Sequence, residues 1–88
     1  PIETHLIEKS RNMNLYIEFE SMDDVRAIAA CLREYSIHIY DIDLEHGKKE
    51  EYRYPSAVFT LRLNDKRSHA GIIAALFKLE HIKLIEEV

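Results

Sequence analysis

The sequence predicts a domain of the α+β class, with its elements in the order β-α-β-β-α-β. Some stretches alternate apolar and polar residues, which is the pattern of half-buried strands. They are separated by stretches in which apolar residues recur every three to four positions, as in amphipathic helices. The chain has 88 residues, enough for one modest core, and its two glycines and two prolines argue against disorder.

The first strand and the first helix are predicted from residues 14–35. The apolar residues that share one face of the strand, predicted at residues 14–20, are Leu15, Ile17 and Phe19. Ser21 and Asp24 have the spacing of a capping box with Asp in place of Glu, so we expect a helix from this turn to about Tyr35. Its apolar positions at helical spacing are Met22, Val25, Ile28, Ala29 and Leu32.

The middle of the chain predicts a long antiparallel hairpin. Residues 37–45 are rich in β-branched side chains, but their alternation changes phase between Ile39 and Ile42, as a β-bulge would cause. A charged stretch with turn chemistry leads into a second strand at residues 52–63. Pro55 cannot donate a ladder hydrogen bond, so we expect it near the start of that strand or at a sheet edge.

The end of the chain predicts a second helix and a fourth strand at residues 81–88. The alternative N-caps are Asn64, Asp65 and Ser68, and the apolar stripe is Ile72, Ile73, Leu76 and Leu79. Two helices with one apolar stripe each are most simply buried against one face of a four-stranded antiparallel sheet. This is the ferredoxin-like sandwich. We assign residues 13–88 to the domain and residues 1–12 to a lead-in or linker.

The composition of the chain disfavours nucleic-acid binding and a membrane span. The formal charge of −4 disfavours nucleic acid as a partner, because binding to phosphates depends on clustered Lys and Arg. No apolar run approaches the ~18 residues that a membrane span needs, so we expect a chain without a span of its own. The lone cysteine, Cys31, cannot form an internal disulfide, and a reducing compartment fits it best.

Three carboxylates form the candidate metal site. Asp41, Asp43 and Glu45 alternate along a predicted strand, so they should lie on one face, and hard cations such as Mg²⁺ prefer oxygen ligands of this kind. The segment does not fit the calcium-loop template, which needs Gly where His46 stands and Glu where Tyr52 stands. The alternative, which we favour, is a solvated acidic strand end.

Catalytic motifs are absent from the sequence. The five histidines include no pair at the i, i+4 spacing of a zinc-binding helix. Cys31 lies in the middle of a predicted helix, where nothing local would lower its pKa. No Gly-rich loop could hold a phosphate, and the third strand lacks the aromatic run of an RNA-recognition domain. We therefore expect a non-enzymatic protein without a cofactor.

The sheet face opposite the helices is the candidate interface. Its predicted members are Tyr16, Glu18, Val58, Thr60 and Arg62, together with Lys83 or Ile85 depending on register. A mixed face with some apolar residues suits pairing between copies or domains. Scattered apolar residues on an ordinary surface are the alternative, and both interpretations stay open.

The arrangement resembles an ACT-like regulatory domain. The residues that carry the resemblance are 15–19, the capped helix, the hairpin, and the closing stretch from Ile73 through Leu76 to 79–87. More narrowly, the chain is similar to the C-terminal cytoplasmic domain of the MgtC/SapB family. That resemblance implies a regulatory or accessory domain in the cytoplasm, attached to a multi-span membrane part and linked to magnesium homeostasis. It also implies action as a homodimer or through contact with the membrane part.

One turn departs from the pattern of amino-acid-binding ACT domains. Those domains have Asp, Arg, Pro and Gly at the turn after the first strand, whereas residues 20–24 here contain neither Gly nor Pro. The departure favours an assembly-type domain. The alternative is a small-ligand sensor for an amino acid or a divalent cation. Its candidate ligand-binding residues are Ser21, Asp23 and Asp24, or the carboxylates of Asp41, Asp43 and Glu45.

Overall fold

The strand and helix patterns fold into one antiparallel sheet with two helices. The computed structural model describes residues 11–45, 54–63 and 68–88. Its elements are β1 (Asn12–Phe19), α1 (Asp23–Glu34), β2 (Ile37–Glu45), β3 (Ser56–Leu63), α2 (His69–Phe77) and β4 (Ile82–Glu87). The four strands lie in the order β2-β3-β1-β4, and each neighbouring pair is antiparallel. The α+β, ferredoxin-like β-α-β-β-α-β prediction is therefore confirmed.

The core lies between the sheet and the two helices. Every second residue of β1 and β3 is buried, as the alternation of the sequence predicts. The buried apolar residues of these two strands are Met13, Leu15, Ile17 and Phe19 of β1 and Ala57, Phe59, Leu61 and Leu63 of β3. They form one cluster with Ile28 and Leu32 of α1 and Ile72 and Leu76 of α2. Both helices therefore cover the same face of the sheet.

The element ends differ from the sequence prediction in several places. β3 begins at Ser56, although the strand was predicted from residue 52; residues 54 and 55 are not strand, and residues 52 and 53 lie outside the described part of the chain. β1 begins at Asn12, inside the predicted lead-in, whose residues 1–10 lie outside the described part of the chain. Met22 was expected on the buried side of α1, but it precedes the helix and is 42% exposed. Ser68 is the N-cap of α2, and its Oγ accepts a hydrogen bond from the Gly71 backbone N–H at 3.3 Å. The other predicted caps, Asn64 and Asp65, lie outside the described residues.

Two β-bulges shape the edge strands. In β2 the register shifts between Ile39 and Asp41, so Tyr40 is the extra residue, which confirms the bulge predicted from the phase change. In β4 the partners of Glu18 and Phe19 are Leu84 and Ile82, so Lys83 is a second extra residue. This second bulge was not predicted. Within the described segments, no helix is long and apolar enough to cross a membrane.

Candidate functional site

Three connections meet at one end of the sheet. β1 is antiparallel to both β3 and β4, so the turn after β1 lies beside the start of β3 and the start of β4. In this turn Asp24 is buried, and only 10% of its side chain is exposed. Its Oδ2 accepts hydrogen bonds from the backbone N–H groups of Glu20 and Ser21, at 3.0 and 2.9 Å. The hydrogen bond from the Ser21 N–H to Asp24 is one of the two bonds of the predicted capping box. The N-cap of α1 is Met22 and not Ser21.

The second oxygen of Asp24 contacts the turn before β4. His81 Nδ1 lies 3.0 Å from Asp24 Oδ1, and His81 Nε2 lies 3.9 Å from Glu20 Oε1. His81 has a backbone φ of 76°, in the left-handed region, so the strand begins only at Ile82. The imidazole contacts Asp24, which lies 57 positions earlier in the chain.

The contacts extend to Tyr54, in the segment before β3. The Lys83 ammonium lies 2.8 Å from Glu20 Oε2 and 5.3 Å from the centre of the Tyr54 ring. We call Glu20, Ser21, Asp24, His81 and Lys83 the turn cluster. An exposed ion pair such as Lys83 with Glu20 contributes little to stability, so this pair fixes the geometry of the turns more than it stabilises the fold.

The acidic and basic groups of the turn cluster shift one another's pKa values in the directions that favour their charged forms. Burial raises the pKa of Asp24, but the hydrogen bonds from Ser21, His81 and Glu20 outweigh it and leave the pKa below its usual value. The hydrogen bond to Asp24 raises the pKa of His81, and the Glu20 carboxylate adds to that shift. The hydrogen bond between Glu20 and Lys83 lowers the pKa of Glu20 and raises that of Lys83. The cluster is therefore an internally paired network.

The predicted ligand-binding residues fall into two groups in this turn. Asp24 uses both carboxylate oxygens for contacts within the chain, whereas Ser21 and Asp23 are exposed. A ligand at this turn would meet Ser21 and Asp23 directly and would have to displace His81 to reach Asp24.

The opposite face of the sheet carries the other predicted residues. We call it the open face, since no described helix covers it. Its members alternate with the core residues of the four strands. They are Asn12, Asn14, Tyr16 and Glu18 of β1, His38, Asp41 and Asp43 of β2, Ser56, Val58, Thr60 and Arg62 of β3, and Leu84 and Glu86 of β4. All four predicted interface residues, Tyr16, Val58, Thr60 and Arg62, lie on it.

Cross-strand pairing arranges these residues in rows. One row crosses all four strands in the order Asp43, Val58, Tyr16, Glu86. Val58 and Tyr16 are half-buried in the middle of the row, and the two carboxylates at its ends are exposed. The Tyr16 hydroxyl donates a hydrogen bond to Glu18 Oε2 at 2.6 Å, which fixes the ring on this face. An apolar centre with a charged rim is the usual anatomy of a protein interface.

The register also corrects the prediction for β4. Ile85 is paired with Ile17 and is 8% exposed, so it belongs to the core, and Lys83 is the bulge residue. Leu84 and Glu86 occupy the open face instead. The bulge shifts which residues of the short strand face each side, and nothing in the apolar pattern of residues 81–88 indicates it.

The predicted metal residues lie on the open face too. Asp41, Asp43 and Glu45 pair with Thr60, Val58 and Ser56, which places all three on one face as the alternation predicts. Asp41 and Asp43 are exposed, and the Glu45 side chain lies outside the described part of the structure. Among the described residues, no group of three His, Cys, Asp or Glu side chains is arranged to hold a metal ion. The complete three-carboxylate site stays a prediction.

Two further features bear on function. Burial raises the pKa of the Cys31 thiol, with a smaller contribution from Glu34, so the thiolate is disfavoured. A groove of about 350 Å³ lies between α1 and β2, and none of the predicted site residues lines it. Its lining residues are Ala29, Arg33, Ile37, His38, Ile39 and Ile42.

Sequence reasoning missed His81 and Lys83 as parts of the turn cluster. The spacing of Ser21 and Asp24 indicated a capped turn, but no local signal connects Asp24 with a residue 57 positions later. Comparison with protein-family models and with curated protein sequences finds no match to this chain.

Proposed function

We propose that the chain is a non-enzymatic accessory domain of a membrane protein similar to the MgtC/SapB family, linked to magnesium homeostasis. In this proposal the domain is cytoplasmic and acts through its open face, by contact with another copy or with the membrane part. The observation that carries the proposal is the row Asp43, Val58, Tyr16, Glu86, which has a half-buried apolar centre between two charged ends, on a face that neither described helix covers.

The paired state of the turn cluster supports a non-catalytic role. A general acid or base needs a pKa near the working pH and access to its substrate. The Asp24 carboxylate is buried, holds three internal contacts and has a lowered pKa, all of which favour a permanent anion in a structural role. The raised pKa of the Cys31 thiol counts against a nucleophile.

A divalent-cation sensor is the second candidate function. It is favoured by the exposed carboxylates of Asp41 and Asp43, which lie on the same face of β2 with Glu45 next in line. An amino-acid sensor at Ser21 and Asp23 has less support, because the neighbouring Asp24 is already engaged by His81.

Growth under magnesium limitation tests the proposal. The source organism would carry its natural gene with Val58→Asp, which places a charge in the centre of the open face, or with Ala27→Asp as the matched control on the exposed side of α1. We expect Val58→Asp to impair growth at low magnesium at an unchanged protein level, and Ala27→Asp to leave growth unaffected. Equal growth of the two strains would contradict the proposal.

A further inference from the structure

The second helix, α2, is apolar on all of its sides. Residues 70–77 are only Ala, Gly, Ile, Leu and Phe, so no charged or hydrogen-bonding side chain lies between His69 and Lys78. A surface helix normally has polar residues opposite its apolar stripe, whereas a helix that is apolar all round is normally buried. Yet only Ile72 and Leu76 of α2 are buried. In the single chain, an apolar side of this helix therefore faces water.

The first helix, α1, provides a comparison within the same molecule. Its exposed side carries the charges of Asp23, Arg26, Arg33 and Glu34, as expected for a helix in contact with water. Both helices pack on the same face of the sheet and contribute to the same core. The difference between their outer sides favours a partner that covers α2 and leaves α1 in water.

The outer side of α2 forms a continuous stripe. Ala70, Ile73, Ala74 and Phe77 have the spacing i, i+3, i+4, i+7, which places them on one side of a helix. Ala70, Ala74 and Phe77 are exposed, Phe77 by 48%, and Ile73 is half-buried. We call these four residues the α2 stripe. Ala70 and Phe77 lie about 10.5 Å apart along the helix axis, with Ala74 between them.

The α2 stripe is complementary to itself in shape. When a two-fold axis through Ala74 relates two copies, their α2 helices run antiparallel. The large Phe77 of one copy then lies over the small Ala70 of the other, and this contact occurs twice. The small side chain of Ala74 at the centre lets the two helices approach closely.

The charges at the two ends of α2 fit the same arrangement. Lys78 directly follows the helix and is exposed. Glu87 lies at the other end, where its Oε2 is 2.8 Å from His69 Nδ1 and its side chain is 40% exposed. In an antiparallel pair Lys78 of each copy approaches Glu87 of the other, whereas a parallel pair would place Lys78 beside Lys78. Opposite charges therefore favour the antiparallel pair.

We infer that two copies of the chain associate through the α2 stripe, as an antiparallel helix pair with a contact between Lys78 and Glu87 at each end. The interface is small because α2 has 9 residues, and interfaces below about 1,200 Å² are typical of weak, transient complexes. The dimer is therefore weak and reversible. The inference goes beyond the proposed function, since the α2 stripe lies on the helical side of the sheet and the open face on the other.

Sedimentation equilibrium over a range of chain concentrations tests the inference. We expect the natural chain to dimerise as its concentration rises. Ala74→Asp, which places a charge at the centre of the α2 stripe, should sediment as a monomer. Ala30→Asp, the same change at an exposed position of α1, should associate like the natural chain. In ¹⁵N spectra, the amide signals of residues 70–77 should move when the natural chain is concentrated.

An exchange of charge tests the two end contacts without a change in the apolar stripe. Lys78→Glu and Glu87→Lys each turn both contacts into like-charge pairs. An exposed ion pair contributes a factor of roughly 1.4 to 5 and two are lost, so each variant alone should associate roughly 2-fold to 25-fold more weakly. An equimolar mixture of the two variants restores opposite charges at both ends. We expect the mixture to regain most of the natural association.

Three results would overturn the inference. They are a natural chain that stays monomeric at about 1 mM, an Ala74→Asp variant that associates like the natural chain, and a mixture that associates no better than its two components. Val58→Asp distinguishes the two sides of the sheet and should dimerise normally. If Val58→Asp is monomeric while Ala74→Asp dimerises, the copies meet through the open face. The inference is then wrong, and the proposed function stands.

Discussion

Asp24 is the residue on which the geometry of the first turn most depends. Its buried carboxylate accepts two backbone N–H bonds and contacts His81. Loss of a helix-capping carboxylate costs about 0.5–2 kcal/mol, and buried donors left without partners add to that cost. We expect Asp24→Ala to lower the free energy of unfolding by about 2 kcal/mol, measured by urea denaturation. Asp23→Ala, at an exposed neighbour, should change it by less than about 0.5 kcal/mol.

His81 makes the stability of the domain depend on pH. Its folded-state pKa is raised above the usual value of 6.5 by the hydrogen bond to Asp24 and by the Glu20 carboxylate. The stabilisation is therefore complete below about pH 6.5 and is lost as the pH rises through the folded-state pKa. The other charged groups around the ring are Glu80, beside it in the chain, and Lys83, which is paired with Glu20.

The variant His81→Asn isolates this effect, because Asn tolerates a left-handed backbone but carries no titrating proton. We expect the natural chain to be more stable than His81→Asn at pH 5.5 and this difference to shrink towards pH 8.5, in urea denaturations across the range. A difference independent of pH would show that the contact between His81 and Asp24 carries no charge.

The sequence predicted only some of the contacts in the turn cluster. The Ser21 and Asp24 spacing located the capped turn, since capping is a local interaction between residues three apart. The contacts of Asp24 with His81, and of Glu20 with Lys83, depend on how β4 is placed beside β1. Such long-range contacts leave no periodic signal in a single sequence.

At the scale of secondary-structure elements, β2 contains the carboxylates that were predicted as cation ligands. Its Asp41 and Asp43 lie on the open face, exposed to water, and we favour solvation over metal binding. We therefore expect thermal unfolding in Mg²⁺ or Ca²⁺ to match unfolding in NaCl of equal ionic strength. A bound ligand at 100 times its Kd would add about 2.7 kcal/mol, or roughly 11–22 °C in a domain of this size, so a specific shift is easily seen.

A specific shift in Mg²⁺ that disappears when Asp41 and Asp43 are both replaced by Asn would contradict the solvated interpretation. It would promote the cation sensor to the first candidate function. A shift that persists in the Asn variant would place the ion elsewhere.

The two edge strands differ in how far the sequence predicts them. The bulge at Tyr40 was predicted because β2 is long enough to show its alternation before and after the defect. β4 has only 6 residues, too few to show a change of phase around Lys83. For this reason the sequence placed Lys83 or Ile85 on the open face, where the structure has Leu84 and Glu86.

At the scale of the whole molecule, the fold class follows from hydrophobic patterning. The alternation in β1 and β3 and the stripes in the two helices specify one shared core, and their order along the chain restricts the topology. The function does not follow from the fold, because the same arrangement of elements serves many activities. The proposed function depends on the open face, where the apolar centre of Val58 and Tyr16 lies between the carboxylates of Asp43 and Glu86.

Crosslinking in intact cells tests this account most directly. A photo-crosslinking amino acid is incorporated at Val58 in the natural gene product, and at Ala27 on the helical side as the control, and the attached peptides are identified by mass spectrometry. We predict that Val58 attaches to another copy of the domain or to an MgtC/SapB-like membrane part, and that Ala27 does not. Equal yields from the two positions, or no attachment at Val58, would contradict the account.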